Sequence, residues 1–480
     1  MKKFNTSKIS GTQELLPGAQ SIFTNLKRKV ADTYHSHGYQ EIETPTIERV
    51  EVLLAKAGGD TEKQIYKLIK TGDKSIESAD QALRFDHTVP LARYVVEHES
   101  DLTFPLKVSQ LGLNFRGERA QKGRFREFYQ LDIDVIGRGE LSLAYDADVI
   151  ATLLDALNSF NLEAKILARI SNRKILTGLL EFLKLTDYAK EIMNIIDHAE
   201  KVTPEQTKFA LEELQLDEPT VKKILAFTNL HGTRSEVMKS LGNLEIDNET
   251  YKEGLTELDL VLYLLESQGL QDQIEADLGI IRGLDYYTGT VFEFVLPDHK
   301  NIGSIAGGGR YNNLTKHFSD QAFPGVGGSI GLTRLFFILN EAGLLDPTTD
   351  NLLDYCIIPM SAHEYDEALS VAAKLRENGH SATVVFTNKK LGDNLSYASK
   401  VAKNGIVIGE QEVTTKQFKT KNFQSGETTD LHLEVISKPE DFWSEEESSP
   451  SSLKRQKKLY ISNSHPNLAG YCPENKQRTD

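Results

Sequence analysis

The sequence predicts an α+β fold: an antiparallel sheet that carries the chemistry, a helical insertion, and a smaller α/β domain toward the C-terminus. Three stretches carry that prediction. The segment from Lys107 to Gly137 looks like two strands joined by a basic loop, GERAQKGR. Apolar residues fall on odd positions (Leu111, Leu113, Phe115, then Phe125, Tyr129, Leu131, Ile133, Val135), while Asn114, Arg116, Glu118, Arg126, Phe128, Gln130, Asp132 and Asp134 fall on even ones. A period of two sends successive side chains to opposite faces, so one face packs and the other collects functional groups. Residues from Asn172 to about Gln271 are rich in helix formers and hold no glycine-rich phosphate loop. From Asp354, strand DYCIIPM, helix His363–Glu377, strand SATVVF, helix Lys390–Lys403 and strand GIVIG alternate as in a small α/β domain.

The remaining elements follow in order. Ile22, Phe23, Leu26, Val30 and Tyr34 form a helical stripe that Gly38 ends. YQEIETPTIE reads as a strand broken at Pro45, and LRFDHTVPLARY places Asp86 and Thr88 in a turn before Pro90. Asp86 suits the N-terminus of a helix as well as a ligand site. Val149, Ile150, Leu153, Leu154 and Leu157 mark a helix over Asp148–Phe160. Glycine and strand signals return in GIIRGLDYYTGTVFEF, SIAGGGRYNNL and PGVGGSIGLTRLFFIL, the last running into a helix that carries Arg334. A boundary falls near Asp346–Leu353. From about Ser437 the composition turns to an acidic block followed by a basic block, which reads as a disordered tail.

At 480 residues the chain exceeds one core, so more than one domain is expected. A net charge of −15 argues against a nonspecific nucleic-acid coat but leaves room for a local basic site such as Arg116–Arg126. The cysteines, Cys356 and Cys472, supply neither a disulfide framework nor a thiolate zinc site. MKKFNTSKIS leads into no apolar signal segment and nothing apolar is long enough to span a bilayer, so a cytoplasmic protein without membrane contact is expected.

The chemistry is narrowed by what is missing. There is no GxxxxGK[ST] loop, and the glycines Gly325, Gly327, Gly328 and Gly331 lack the context of a dinucleotide fingerprint. His35 and His37 have no partner ligands, so no protein metal site is expected. Asp132 and Asp134 make a poor acid/base pair, because both line the same side of any substrate. What remains is a set of arginines near turns: Arg116, Arg124, Arg282 and Arg334. Guanidiniums suit bidentate phosphate recognition, so a nucleotide bent across an antiparallel sheet fits, its α-phosphate open to attack by a carboxylate. Such a reaction needs positioning and charge stabilisation more than a dedicated nucleophile.

In order and spelling these motifs resemble class II histidyl-tRNA synthetases, over about Ile9 to Ile436. HGYQEIETPTIE resembles motif 1, FRGERAQKGRFREFYQLDIDVIG motif 2 and PGVGGSIGLTRL motif 3. GIIRGLDYYTGTVFEF and SIAGGGRYNNL resemble the histidine-specific signatures, SGTQELLPG fits the start, and LRFDHTVPLARY resembles the family's amino-acid-binding turn. The resemblance implies a catalytic domain over 1–345 with a helical insertion at about 172–271, an anticodon-binding domain over 350–436, and a tail over 437–480. It implies ATP-dependent activation of L-histidine with Mg²⁺, transfer to tRNA(His), and a homodimer whose interface involves the motif 1 proline.

Residue by residue, the resemblance implies that Arg116 holds the α-phosphate, Glu118 the adenine amino group and Arg334 the γ-phosphate, with Phe128 stacked on adenine and Arg124 beside the nucleotide. Arg282 would approach the α-phosphate from the opposite side, sharing the catalytic role with Arg116 and lying, like it, beside the bound histidine. Asp86, Thr88 and Gln130 would hold the α-amino group. Asp134 and Tyr287 would flank the imidazole, with Tyr286 beside them, since a neutral imidazole offers one donor and one acceptor. Arg119 and Gln121 in the motif 2 loop would meet the acceptor end of the tRNA. Thr333 stands where the family usually carries an acid, which puts that acid's role in question. The alternative is a catalytically inactive relative, such as the regulatory subunit of ATP phosphoribosyltransferase or a tRNA-sensing module.

Overall fold

The computed structural model describes residues 4–55, 62–72, 75, 79–119, 121–199, 202–281, 287–345, 352–387 and 389–432. Two compact units divide the chain, Met1–Asn351 and Leu352–Asp480.

The first unit is built on a large sheet of β1 (Gln40–Glu41), β5 (Leu106–Phe115), β6 (Glu127–Ile136), β7 (Leu167–Asn172), β8 (His231–Gly232), β9 (Ile274–Asp277), β10 (Thr290–Val295), β11 (Ala306–Tyr311) and β12 (Gly325–Ile330), in the order β1-β5-β6-β12-β11-β10-β7-β9-β8. From β5 through β7 all neighbours run antiparallel. A small sheet of β2 (Ile47–Arg49), β3 (Lys67–Leu68) and β4 (Gln81–Leu83) stands apart in the order β2-β4-β3. Pro45 falls between β1 and β2, where its missing N–H costs no ladder bond.

One face of the large sheet is the core. Leu131, Ile133 and Val135 of β6 are fully buried in the same cluster as Leu26 and Val30 of the Pro17–Ser36 helix and Val149 and Leu153 of the Ala144–Asn158 helix. The first helix has its proline in the first turn, and Gly38 takes φ +82° after its end. The helical segment between β7 and β9 follows from local capping. Asn172, Thr203, Asp217 and Thr233 each accept a backbone N–H at the start of a helix, and Thr203–Gln206 and Thr233–Glu236 close capping boxes. Its apolar stripes (Ile192, Leu211, Val221, Val237, Leu258) join the main core instead of forming a separate one.

The second unit holds β13 (Leu353–Pro359), β14 (Ala382–Val384), β15 (Ala402–Ile408), β16 (Phe418–Asn422) and β17 (Thr428–Leu431), in the order β14-β13-β15-β16-β17. The first three are parallel, and β16 and β17 add antiparallel at one edge. Alternation along β13 explains the helices on both faces. Ile357 packs with Val371 and Leu375 of the Tyr365–Glu377 helix, whereas Cys356 and Ile358 pack with Ala398 of the Leu391–Val401 helix. Burial pushes the Cys356 thiol up to about 11, so it behaves as a small apolar residue. The α/β alternation is as the sequence predicts; the β16–β17 hairpin is additional. The expected tail from Ser437 lies outside the described residues. Among the described residues no helix is long and apolar enough to cross a membrane.

Candidate active site

The face of the sheet opposite the core opens into a cavity of about 550 Å³. Register decides who lines it. Phe128, Gln130, Asp132 and Asp134 project from β6, opposite Asn114, Gly112, Gln110 and Val108 of β5 on one side. On the other side Asp134 pairs with Gly327 and Asp132 with Ser329. The same face continues through Gly307 and Tyr311 of β11 to Glu293 of β10. The period-two reading of the central hairpin is therefore realised from Phe128 to Asp134.

Close backbone approach fixes the glycines of β12. A Cβ on Gly327 would lie 2.0 Å from Asp134 Oδ1, and one on Gly325 would lie 2.3 Å from the Tyr311 ring. The glycine-dense segment thus clears room for the acidic end of the cavity.

At that end Asp134 is buried and accepts a hydrogen bond from Tyr311 Oη at 2.6 Å. Burial pushes the Asp134 carboxyl well above the usual range; the Tyr311 hydrogen bond pulls it down, and Asp132 and Asp86 push it up. The Tyr311 phenol is driven up by burial and by Asp134. Tyr287 lines the cavity nearby, its carbonyl accepting from Arg173 Nη1 at 2.9 Å. The residue that meets Asp134 is thus Tyr311, from the GGGRY motif.

Gln130 is oriented on both sides. Its Oε1 accepts from Asn114 Nδ2 at 2.8 Å, and its Nε2 donates to Ser329 Oγ at 2.8 Å. In this arrangement one Oε1 lone pair remains for a ligand N–H. Asp86 lies at the start of the Thr88–Glu97 helix, where Oδ1 accepts from Val89 N at 3.0 Å. Asp86 thus satisfies an N–H at the start of the helix and also lines the cavity beside Thr88. Burial raises its carboxyl, against the Val89 bond and the Arg116 charge, which lower it.

The other end is cationic. The Arg116 guanidinium sits 4.4 Å from the Phe85 ring centroid and 5.0 Å from that of Phe128. Aromatic faces on a guanidinium hold it in place without neutralising it. Arg124 Nη1 reaches Glu118 Oε2 at 3.5 Å, and Arg334 Nη2 donates to Ile302 O at 3.4 Å; Arg116, Arg124 and Arg334 all line the cavity. Thr333 is buried, and its hydroxyl accepts from Tyr129 N at 2.8 Å. This neutral acceptor pins the helix bearing Arg334 to the strand bearing Phe128 and Gln130.

Arg126 departs from the pattern. Its Nη1 donates to Ser10 O at 3.2 Å and its Nε to Glu118 O at 3.1 Å, so it ties down the N-terminal segment and does not line the cavity. The alternation fails there because β6 begins only at Glu127. Arg119 and Gln121 are exposed on the β5–β6 loop, outside the cavity. Arg282 and Tyr286 lie outside the described residues. The alternation singles out Asn114, but no sequence signal marks Tyr311, Ser329, His87 or the Arg310–Asp146 pair. Arg310 Nη2 donates to Asp146 Oδ1 at 2.7 Å in a fully buried bridge, and also to Ser142 O at 3.0 Å. Among the described residues no group of three or more His, Cys, Asp or Glu side chains is set to hold a metal ion.

Fold and cavity together define a class: an antiparallel-sheet core whose cavity has an aromatic, cationic end and a buried acidic end, on a chain that also carries a small α/β unit. A family model described as histidyl-tRNA synthetase matches residues 11–335, and one described as anticodon binding domain matches residues 354–438. The histidine–tRNA ligase of Clostridium acetobutylicum is 43% identical over 437 residues, 90% of this chain and 99% of that protein. That of Clostridium tetani is 42% identical over 428 residues, 89% of this chain and 96% of that protein. The crystal structure of histidyl-tRNA synthetase from Nostoc sp. PCC 7120 superposes with a TM-score of 0.80 at 36% identity, covering 89% of this chain and 97% of that one. The chain belongs to the histidyl-tRNA synthetase family. An ATP phosphoribosyltransferase regulatory subunit/histidyl-tRNA synthetase from Bacillus halodurans C aligns with a TM-score of 0.70 at 23% identity, a likeness of fold alone.

Proposed function

We infer that this chain is a histidine–tRNA ligase, which activates L-histidine with ATP and transfers it to tRNA(His). The observation that carries the reading is the cavity with opposite ends: Arg116 between Phe85 and Phe128 at one, Asp134 with Tyr311 at the other. ATP would lie toward the first, with Phe128 against adenine, Glu118 at its amino group, Arg116 and Arg124 near the phosphates, and Arg334 at the γ-phosphate. Aminoacyl-tRNA synthetases use ATP and generally Mg²⁺, and the ion would enter here as part of the ATP substrate. Histidine would place its ammonium group near Asp86, Thr88 and Gln130 and its imidazole between Asp134 and the tyrosines Tyr286 and Tyr287.

In the first step a carboxylate oxygen of histidine bonds to the α-phosphorus while the bond to the bridging β-phosphate oxygen breaks, releasing pyrophosphate. Arg116 would neutralise charge building on the α-phosphate, aided from the other side by Arg282. In the second step a ribose hydroxyl at the tRNA end attacks the histidyl carbonyl and AMP leaves. Arg119 and Gln121, exposed on the β5–β6 loop, are suited to meet that acceptor end. Domain limits of 1–345 for catalysis, with the helical insertion at about 172–271, and 350–436 for the anticodon complete the reading, along with a homodimer in the cytoplasm.

The inactive-relative alternative is less favoured, because curated ligases match at higher identity than the 23% likeness that would support it. Pyrophosphate exchange into ATP, measured with each standard amino acid in turn, tests the reading. Exchange with histidine alone is expected; none with histidine, from folded protein, would overturn it.

A further inference from the structure

We propose that Asp132 is a further substrate-binding residue, addressed to the ammonium group of the amino acid, and that His87 is the positioning residue that aims it. This rests on the amino-acid reading of the cavity and deepens it. On β6, Asp132 stands between Gln130 and Asp134 and shares their face, roughly 7 Å from each along the strand. Gln130 is assigned to the ammonium end of histidine and Asp134 to its imidazole end, so Asp132, between them, flanks the ammonium on the side that faces the imidazole.

Only one of its oxygens has a reason to be there. His87 Nδ1 lies 2.9 Å from Asp132 Oδ2, and a carboxylate only accepts, so the imidazole donates. Asp132 Oδ1 is buried and has no hydrogen-bond partner among the described residues. The side chain is nearly inaccessible, yet the residue lines the cavity. A buried carboxylate oxygen left bare is costly, and a ligand N–H is what it lacks.

His87 is built for the task. It is 0% exposed, one residue before the Thr88–Glu97 helix, with Gln110 Nε2 donating to its carbonyl at 3.4 Å. Its ring packs over Gly112, where a Cβ would lie 3.2 Å from His87 Nε2 and 2.3 Å from Arg84 Nη2. Arg84 itself is directed at the backbone, donating to Leu113 O at 2.8 Å and Thr44 O at 2.6 Å. His87 Nε2 has no partner among the described residues, so the ring's hydrogen bond goes to Asp132.

Charge points to a cation. Asp86, Asp132 and Asp134 gather in one cavity; Asp86 Oδ1 caps a helix and Asp134 Oδ1 takes the Tyr311 hydroxyl. Burial raises both of those carboxyls, and the Asp132 charge raises them further. A positive group beside Asp132 offsets the charge that Asp86 and Asp134 feel from it. Histidine with a neutral imidazole carries one such group, its ammonium.

Two fragments separate this role from sheet support: histamine, which has the ammonium but no carboxylate, and imidazole-4-propionate, which has the reverse. Their binding is measured calorimetrically on the full chain. Asp132→Asn is expected to weaken histamine by about tenfold or more while imidazole-4-propionate changes by less than about twofold. KM for histidine rises and KM for ATP stays. His87→Leu should reproduce the pattern, and His87→Asn, which keeps a donor near the Nδ1 position, should restore most of it. Where Asp132→Asn does not fold, the His87 pair supplies the same comparison. Equal weakening of both fragments, or no change in either, overturns the proposal while leaving the ligase reading intact. Wild type that neither binds histamine nor exchanges with histidine overturns both.

Discussion

Gly327→Ala is the smallest change that reaches the acidic end of the cavity. The added methyl would lie 2.0 Å from Asp134 Oδ1, 2.7 Å from Asp134 Cγ and 2.7 Å from Ile133 O. Because the last contact is backbone of the neighbouring strand, the two strands must part slightly, and the Asp134 side chain must yield to relieve the first two. It leaves the Tyr311 hydroxyl at 2.6 Å and with it the place assigned to the imidazole. A hydrogen bond to a charged group is worth about 1.5–3 kcal/mol, and each 1.4 kcal/mol is a factor of ten. We therefore expect kcat/KM for histidine to fall roughly tenfold to a hundredfold, with KM for ATP within about twofold. Overpacking adds a stability loss of about 1–3 kcal/mol, read as a lower melting temperature. The assay is pyrophosphate exchange with histidine and ATP varied separately, alongside thermal melting. A folded variant with an unchanged KM for histidine would refute the reasoning, since the carboxylate would then not be where the substrate needs it.

Other changes probe other joints of the structure. Asp146→Ala strands the buried Arg310 guanidinium and is expected to cost about 3–5 kcal/mol, whereas Asp146→Leu with Arg310→Met should recover most of the loss; a double variant as unstable as the single would contradict this. Thr333→Val removes the acceptor for Tyr129 N, about 1–3 kcal/mol, and should raise KM for ATP more than KM for histidine, with Thr333→Ser restoring it; no shift in either KM would show that the contact does not position Arg334. Burial holds the Asp134 carboxyl well above the usual aspartate value of 3.8, so the folded state binds its proton more readily and the ionised carboxylate destabilises the ligand-free fold at higher pH. Asp134→Asn should therefore melt above wild type at neutral pH, with the difference shrinking as pH falls through the raised value toward 3.8; a difference that grows on acidification would reverse the sign. Removing residues 437–480 should leave activation unchanged on compositional grounds, and loss of tRNA charging alone would assign Lys454–Lys458 to the tRNA surface.

Much of this architecture is legible in local sequence pattern. Alternation along Phe128–Asp134 survives because that segment is paired on both sides, and a strand cannot slip by one residue without moving its apolar set out of the core. The same rule fails at Arg126, one residue before the strand begins, where the backbone is free to turn the side chain toward Ser10. Contacts set by sheet order were not legible. Tyr311 meets Asp134 across 177 residues of chain, Gln130 meets Ser329 across 199, and Tyr129 meets Thr333 across 204. No periodicity encodes that β12 lies between β6 and β11. His87 stayed hidden for a different reason: a histidine between two site residues has no signature until its ring is seen to turn toward Asp132. The Arg310–Asp146 pair was masked because GGGRY reads first as glycines and a tyrosine.

The central claim is that this cavity selects histidine and passes it to tRNA. The most direct measurement is the appearance of labelled amino acid in acid-precipitable tRNA(His), with purified chain, ATP and Mg²⁺, each standard amino acid supplied in turn. Label from histidine alone, abolished when ATP is withheld, is the expected result. Label from another amino acid, or histidyl-adenylate that forms and is never transferred, would contradict the account.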